Sequence, residues 1–153
     1  MNIVDISFEG VPEAGWTGAA KDFALAAMDL MRKDRWDASI LVCDDATIRS
    51  LNLRYRERDE PTDVLSFEQG GEYPDGDGVM RVLAGDLAIS MEALGRNATD
   101  FGVSRDEEFK RLIVHGLLHL SGQDHEDNDP ERPMLALQET MLGQLAGRAR
   151  ILE

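Results

Sequence analysis

The stretch H-G-L-L-H-L-S-G-Q-D-H, from His115 to His125, contains all 3 histidines of the chain and dictates how the backbone around it must fold. His115 and His119 are four positions apart, which puts both imidazoles on one helical face about one turn from each other. A helix must therefore run through His119. Gly122 can take the left-handed conformation that ends such a helix, and beyond the break His125 can swing back toward the same point. Three neutral imidazoles leave one position of a tetrahedral zinc ion open for water, the pattern of a catalytic site rather than a structural one. Imidazole also suits nickel, copper and iron, so Zn2+, one per chain, is the favoured ion among several. A structural zinc is the rival reading, but such sites usually close with cysteine, and the lone Cys43 is distant in sequence.

The spacing H-x3-H-x5-H, with a glycine three residues after the second histidine, equals that of the H-E-x-x-H-x-x-G-x-x-H metalloproteases. In those enzymes the glutamate after the first histidine is the general base; here that position is Gly116. Peptide hydrolysis by that route loses its base. Asp124 and Glu126 are acidic neighbours able to replace it, and a solvated acidic turn accounts for them equally well.

A length of 153 residues suits one domain, 1–153, with a single hydrophobic core. No basic segment precedes an apolar run at the N-terminus, and nowhere do about eighteen apolar residues follow one another. A cytoplasmic protein without membrane contact is expected. Cys43, in the apolar run Ile40–Cys43, reads as a small buried residue and agrees with a reducing compartment. The net charge of −14 argues against a broad non-specific nucleic-acid footprint. Any RNA must meet a local basic patch, and arginines gather at Arg49, Arg54, Arg56 and Arg58.

Alternation predicts strands over Ile3–Phe8, Ser39–Cys43, Thr62–Phe67 and Val79–Ile89. Helical stripes predict a first helix capped by Thr17, a second capped by Asp44 or Asp45 with Ile48, Leu51 and Tyr55 inward, and a short third over Met91–Ala98. Ser104 and Glu107 form a capping box ahead of the histidine helix, whose core stripe is Phe109, Leu112, Ile113, Gly116 and Leu120. A last helix follows Asp129-Pro130 and turns Met134, Leu137, Met141, Leu142 and Leu145 inward. Gln69–Gly78 reads as a loop, and its Asp75 and Asp77 as a solvated turn rather than a calcium site.

His115–His125 resembles the signature of the YbeY family, bacterial zinc-dependent endoribonucleases of ribosomal RNA maturation. Leu51–Arg56 followed by Pro61–Phe67 resembles that family's second motif, and Ala84-Gly85-Asp86-Leu87 its third, where Leu-Gly-Asp-Ile is commoner. Met134 and Glu139 also fit, whereas Glu68 stands where proline is frequent. The resemblance implies an α/β (α+β-like) fold, a small mixed sheet of about four strands packed by about five helices. The metal site would lie on a helix and the turn after it. It implies zinc held by His115, His119 and His125, and an active-site role for Arg56. A guanidinium suits that role because its planar fork can hold a phosphate bidentately and offset charge as a phosphodiester is attacked. The implied activity is single-strand-specific cleavage in 16S rRNA 3′-end maturation and ribosome quality control. The implied partners are single-stranded and ribosomal RNA, the small ribosomal subunit, and assembly factors such as the Era GTPase. Two other readings stand beside it: a zinc-containing ribosome-assembly binding factor without catalysis of its own, and a zinc hydrolase of another small substrate.

Overall fold

The computed structural model describes residues 1–125 and 127–152. Period-two alternation makes β1 (Ile3–Glu9), which turns Val4, Ile6 and Phe8 toward the interior. β2 (Trp36–Cys43) lies parallel to it, and β4 (Met80–Ser90) lies parallel to β2. β3 (Val64–Pro74) runs antiparallel to β4 at the sheet edge, so the strand order is β1-β2-β4-β3. The helices are α1 (Thr17–Leu30), α2 (Asp45–Arg56), α3 (Met91–Phe101), α4 (Arg105–Leu120) and α5 (Pro133–Gln144). Among the described residues this is the mixed four-stranded α/β sheet with five helices that the family resemblance implies.

Phe23 and Met28 of α1, Ile40 of β2, Leu87 and Ile89 of β4, and Phe109, Ile113 and Leu117 of α4 are at most 2% exposed and pack as one core. Each such side chain contributes about 1.5–3 kcal/mol on leaving water, which makes α4 the helix the fold can least lose. On the opposite sheet face α2 covers a smaller cluster of Cys43, Ile48, Leu65 and Ala88. Burial pushes the Cys43 thiol up to about 12, so it is the inert core residue expected.

Several local expectations change once tertiary contacts act. Asp44 caps α2 through the Thr47 N–H at 2.9 Å, but Thr17 is the first helical residue of α1, because its hydroxyl donates to the Ala14 carbonyl of the preceding turn at 3.0 Å. Ser104 accepts from the Glu107 N–H at 3.0 Å, while the Glu107 carboxylate pairs with Arg111 instead of completing the box. The Gln69–Gly78 stretch is mostly strand: a bulge between Glu68 and Gly71 lets β3 keep pairing with β4 as far as Pro74. Only Asp75–Gly78 turns, with Asp75 accepting from the Asp77 and Val79 N–H groups. α5 starts at Pro133 rather than at Pro130, since Asp129 is occupied in a turn with Glu131 and Arg132. Tyr55 lies on an exposed part of α2 against the Phe67 ring, and Leu137 is partly exposed because Gln138 takes the inward position on α5.

Two glycines set how closely the layers approach. A Cβ on Gly116 would meet both Leu87 methyls at 2.7 Å, so α4 sits against β4 only because that side chain is missing. Gly85, at φ 141°, would bring a Cβ to 2.1 Å from the Phe67 carbonyl oxygen. Gly85→Ala is expected to destabilise by about 3 kcal/mol or more, combining backbone strain with overpacking. Gly143→Ala, with nothing within 4 Å, should change little or stabilise slightly. Denaturant unfolding measures both; a Gly85→Ala protein as stable as wild type would contradict this packing.

Candidate metal centre

α4 delivers the first two histidines and then ends in a defined reversal. The Gly122 N–H donates to the His119 carbonyl at 3.0 Å and the Gln123 N–H to the Leu118 carbonyl at 3.1 Å, with Gly122 at φ 93°. This is the paired-bond helix terminus that requires a left-handed residue just past the cap. It turns the Gln123 carbonyl back onto His119 and returns the chain so that His125 joins the other two rings. Ring centroids are 4.8, 5.1 and 5.3 Å apart.

The three rings are oriented alike. His115 Nδ1 lies 2.7 Å from Gln138 Oε1, His119 Nδ1 3.0 Å from the Gln123 carbonyl, and His125 Nδ1 2.9 Å from the Asp127 carbonyl. The Gln138 amide has its nitrogen committed to the Glu139 carboxylate at 3.0 Å, so its oxygen faces His115. Each acceptor favours the proton on Nδ1, so that a neutral ring presents the Nε2 lone pair. The Nε2 atoms of His115 and His119 face each other at 3.2 Å. Tetrahedral bonds of about 2.0–2.1 Å place neighbouring ligand nitrogens roughly 3.3 Å apart, so a shared cation fits this arrangement. The ligand atoms of all three histidines lie within 4.8 Å of one another, and the set can hold a metal ion.

Burial holds His115 below the ordinary histidine range, with the Gln138 hydrogen bond pulling the other way. His119 is lowered first by burial and then by its two histidine neighbours. Both shifts favour the neutral imidazole that a metal requires.

A cleft of about 370 Å³ opens between α4 and the edge strand β3 and is lined by His115, His119, Ser66, Glu68, Asp124 and Arg56. Arg56 reaches it from the last turn of α2. Its Nη2 donates to the Ser66 carbonyl, and its guanidinium lies 5.5 Å from the Phe67 ring centroid, so the charge is held at the cleft wall. The sequence-derived residues Arg56, His115 and His119 thus share one cleft, and His125 closes on the same rings. Asp124 lines the cleft, but one carboxylate oxygen accepts the His125 N–H at 2.8 Å. Glu126 lies outside the described residues.

Sequence reasoning singled out Glu139 only as a family match and missed the bonds by which it and Gln138 support the site. Glu139 holds Arg111 with two bonds of 3.0 Å, and Arg111 also reaches the buried Glu108, whose other oxygen accepts from Asn97 at 3.1 Å. Burial raises Glu108 above the usual carboxylate range, against the pull of Asn97 and Arg111. The signal was present in the sequence: Gln138 is a glutamine on the apolar stripe of α5, one turn from Met134 and buried with it.

Fold and site together define a class, α/β proteins with three imidazoles converging at a helix break beside a sheet edge and an arginine across the cleft. The family model for "Endoribonuclease YbeY" matches residues 10–146. Curated relatives of that name include one from Treponema pallidum, 49% identical over 144 residues that cover 94% of this chain and 90% of the relative. Another, from Aquifex aeolicus, is 41% identical over 126 residues, covering 82% and 79%. The solution structure of TM1509 from Thermotoga maritima superimposes with a TM-score of 0.62 at 24% identity, covering 94% of this chain and 89% of that one, and shares the fold. The chain belongs to the YbeY endoribonuclease family. No helix among the described residues is long and apolar enough to cross a membrane.

Removing Gln138 as an acceptor frees the His115 tautomer. Gln138→Leu is expected to weaken metal affinity about 10- to 100-fold, read by competition with a chromogenic chelator; an unchanged affinity would sink its role. Acidification should act with a definite sign. Unfolded, His115 and His119 protonate near pH 6.5, above their lowered folded values, so the metal-free fold loses stability as pH falls through that interval. Bound metal should persist at pH 7 and be released below about pH 6, measured by equilibrium dialysis.

Proposed function

We propose that residues 1–153 form one endoribonuclease domain that cleaves single-stranded RNA with zinc held by His115, His119 and His125. The observation that carries this reading is the shared cleft, with two ligand imidazoles on one wall and the Arg56 guanidinium on another. A bound zinc supplies Lewis-acid chemistry, polarising a phosphoryl oxygen or activating water. Arg56 receives a non-bridging phosphate oxygen through the N–H groups not used by Ser66, and offsets the charge that grows during attack. Ser66 and Phe67 hold it so that little reorganisation accompanies that step. Gly116 places no carboxylate beside His115, which separates this site from peptide hydrolysis. The open cleft beside β3 favours a single strand, whose bases can splay apart, over a duplex.

The reading extends to 16S rRNA 3′-end maturation and ribosome quality control in the cytoplasm, with the small ribosomal subunit and assembly factors such as the Era GTPase as partners; membership of an endoribonuclease family supports the RNA substrate, and the partners follow from the resemblance of the His115–His125 signature.

Purified protein should cut single-stranded ribosomal RNA, and chelation should stop it. His115→Ala should lose both metal and cleavage. Arg56→Ala should keep the metal and lose about a hundredfold in kcat. Cleavage that survives in both variants would mark a contaminant and favour a ribosome-assembly binding factor; equal cleavage of duplex would contradict the single-strand preference.

A further inference from the structure

A second cleft, of about 390 Å³, adjoins the first and shares Arg56 and Leu65 with it. Its other lining residues are Asn52, Arg58, Glu60, Pro61 and Thr62. Arg58 stands in it because of how α2 ends. Glu57 adopts a left-handed conformation at φ 58°, unusual for a residue with a Cβ and typical of places where the surroundings over-determine the backbone.

The turn that carries Arg58 is held at three points. The Arg58 N–H donates to the Asn52 carbonyl at 3.2 Å, the buried Asn52 amide donates to the Glu60 carbonyl at 2.9 Å, and Arg49 pairs with Asp59 at 2.7 Å. That last pair removes one carboxylate from the neighbourhood, leaving Glu57 and Glu60. Charge is scarce in the other direction: the chain has 16 basic and 30 acidic side chains, and arginines 35, 49, 81, 96, 111 and 132 are each paired with a carboxylate. Among the described residues, no carboxylate pairs with Arg32, Arg54, Arg56, Arg58, Arg105, Arg148 or Arg150, and of these only Arg56 and Arg58 line the two adjoining clefts. In so acidic a protein, the Arg58 guanidinium, without a carboxylate partner on a braced turn and sharing a cleft with Arg56, fits an anionic ligand.

We propose that this second cleft is a phosphate subsite for the same single-stranded RNA, in which Arg58 receives a backbone phosphate next to the one held at Arg56. The inference rests on the endoribonuclease reading. It gives the substrate a direction, from the histidines across Arg56 to the turn after α2. Arg58 acts in binding, so its loss raises KM rather than lowering kcat.

The test is fluorescence anisotropy of a single-stranded oligoribonucleotide of about twelve nucleotides against the metal-loaded protein, repeated over a range of salt. Arg58→Ala should weaken binding about tenfold and reduce the slope of log affinity against log salt by about 0.7, the share of one phosphate on a single strand. Arg58→Lys should restore the slope, because it keeps the charge. Arg32→Ala, an exposed arginine that lines neither cleft, should leave it as in wild type. A slope indifferent to Arg58→Ala, or one lowered equally by Arg32→Ala, would overturn the subsite while leaving the endoribonuclease reading intact. Wild-type protein that fails to bind or cut single-stranded RNA would overturn both.

Discussion

The reversal of the chain at Gly122 is what every other feature of the candidate metal centre leans on. Two backbone bonds, Gly122 to His119 and Gln123 to Leu118, end α4 and at the same time aim the Gln123 carbonyl at His119 Nδ1. One backbone arrangement thereby satisfies the orphan carbonyls of a helix end, protonates His119 on the correct nitrogen, and brings His125 to the other rings. A residue with a Cβ at Gly122 would put strain where the geometry has least tolerance.

The site is precise because α4 is also the helix most deeply committed to the core. Gly116, next to His115, lets α4 lie against Leu87 of β4, and that approach brings the imidazoles beside the edge strand β3. The glycine that removes a protease-type base from the sequence is therefore a packing requirement as well. On the far side α5 supplies Gln138, whose amide is oriented by Glu139, which is in turn held by Arg111 of α4. The first imidazole is thus supported by two helices, and the cleft has one wall made of core and one made of strand edge.

Much of this was legible in sequence where the physics is local. The His115 and His119 spacing, the break at Gly122 and a cap at Asp44 or Asp45, which the structure resolves to Asp44, depend on residues within a turn or two of one another. What was not legible joins distant segments. His115 and Gln138 are 23 residues apart, Arg111 and Glu139 are 28 apart, and neither pairing follows from periodicity. The glycine-rich stretch read as a loop because glycine weakens strands in isolation, yet pairing with β4 carries β3 through it by way of a bulge. The start of α5 was misplaced because two prolines compete there, and only the turn around Asp129 decides between them.

Three convergent imidazoles, each with an acceptor at Nδ1, make the site, and the coordination of an added metal reports on them most directly. Zinc K-edge X-ray absorption of the purified, metal-loaded protein should show three imidazole nitrogens at about 2.0–2.1 Å with one further light-atom ligand. A sulfur scatterer, or fewer than three imidazoles, would contradict it.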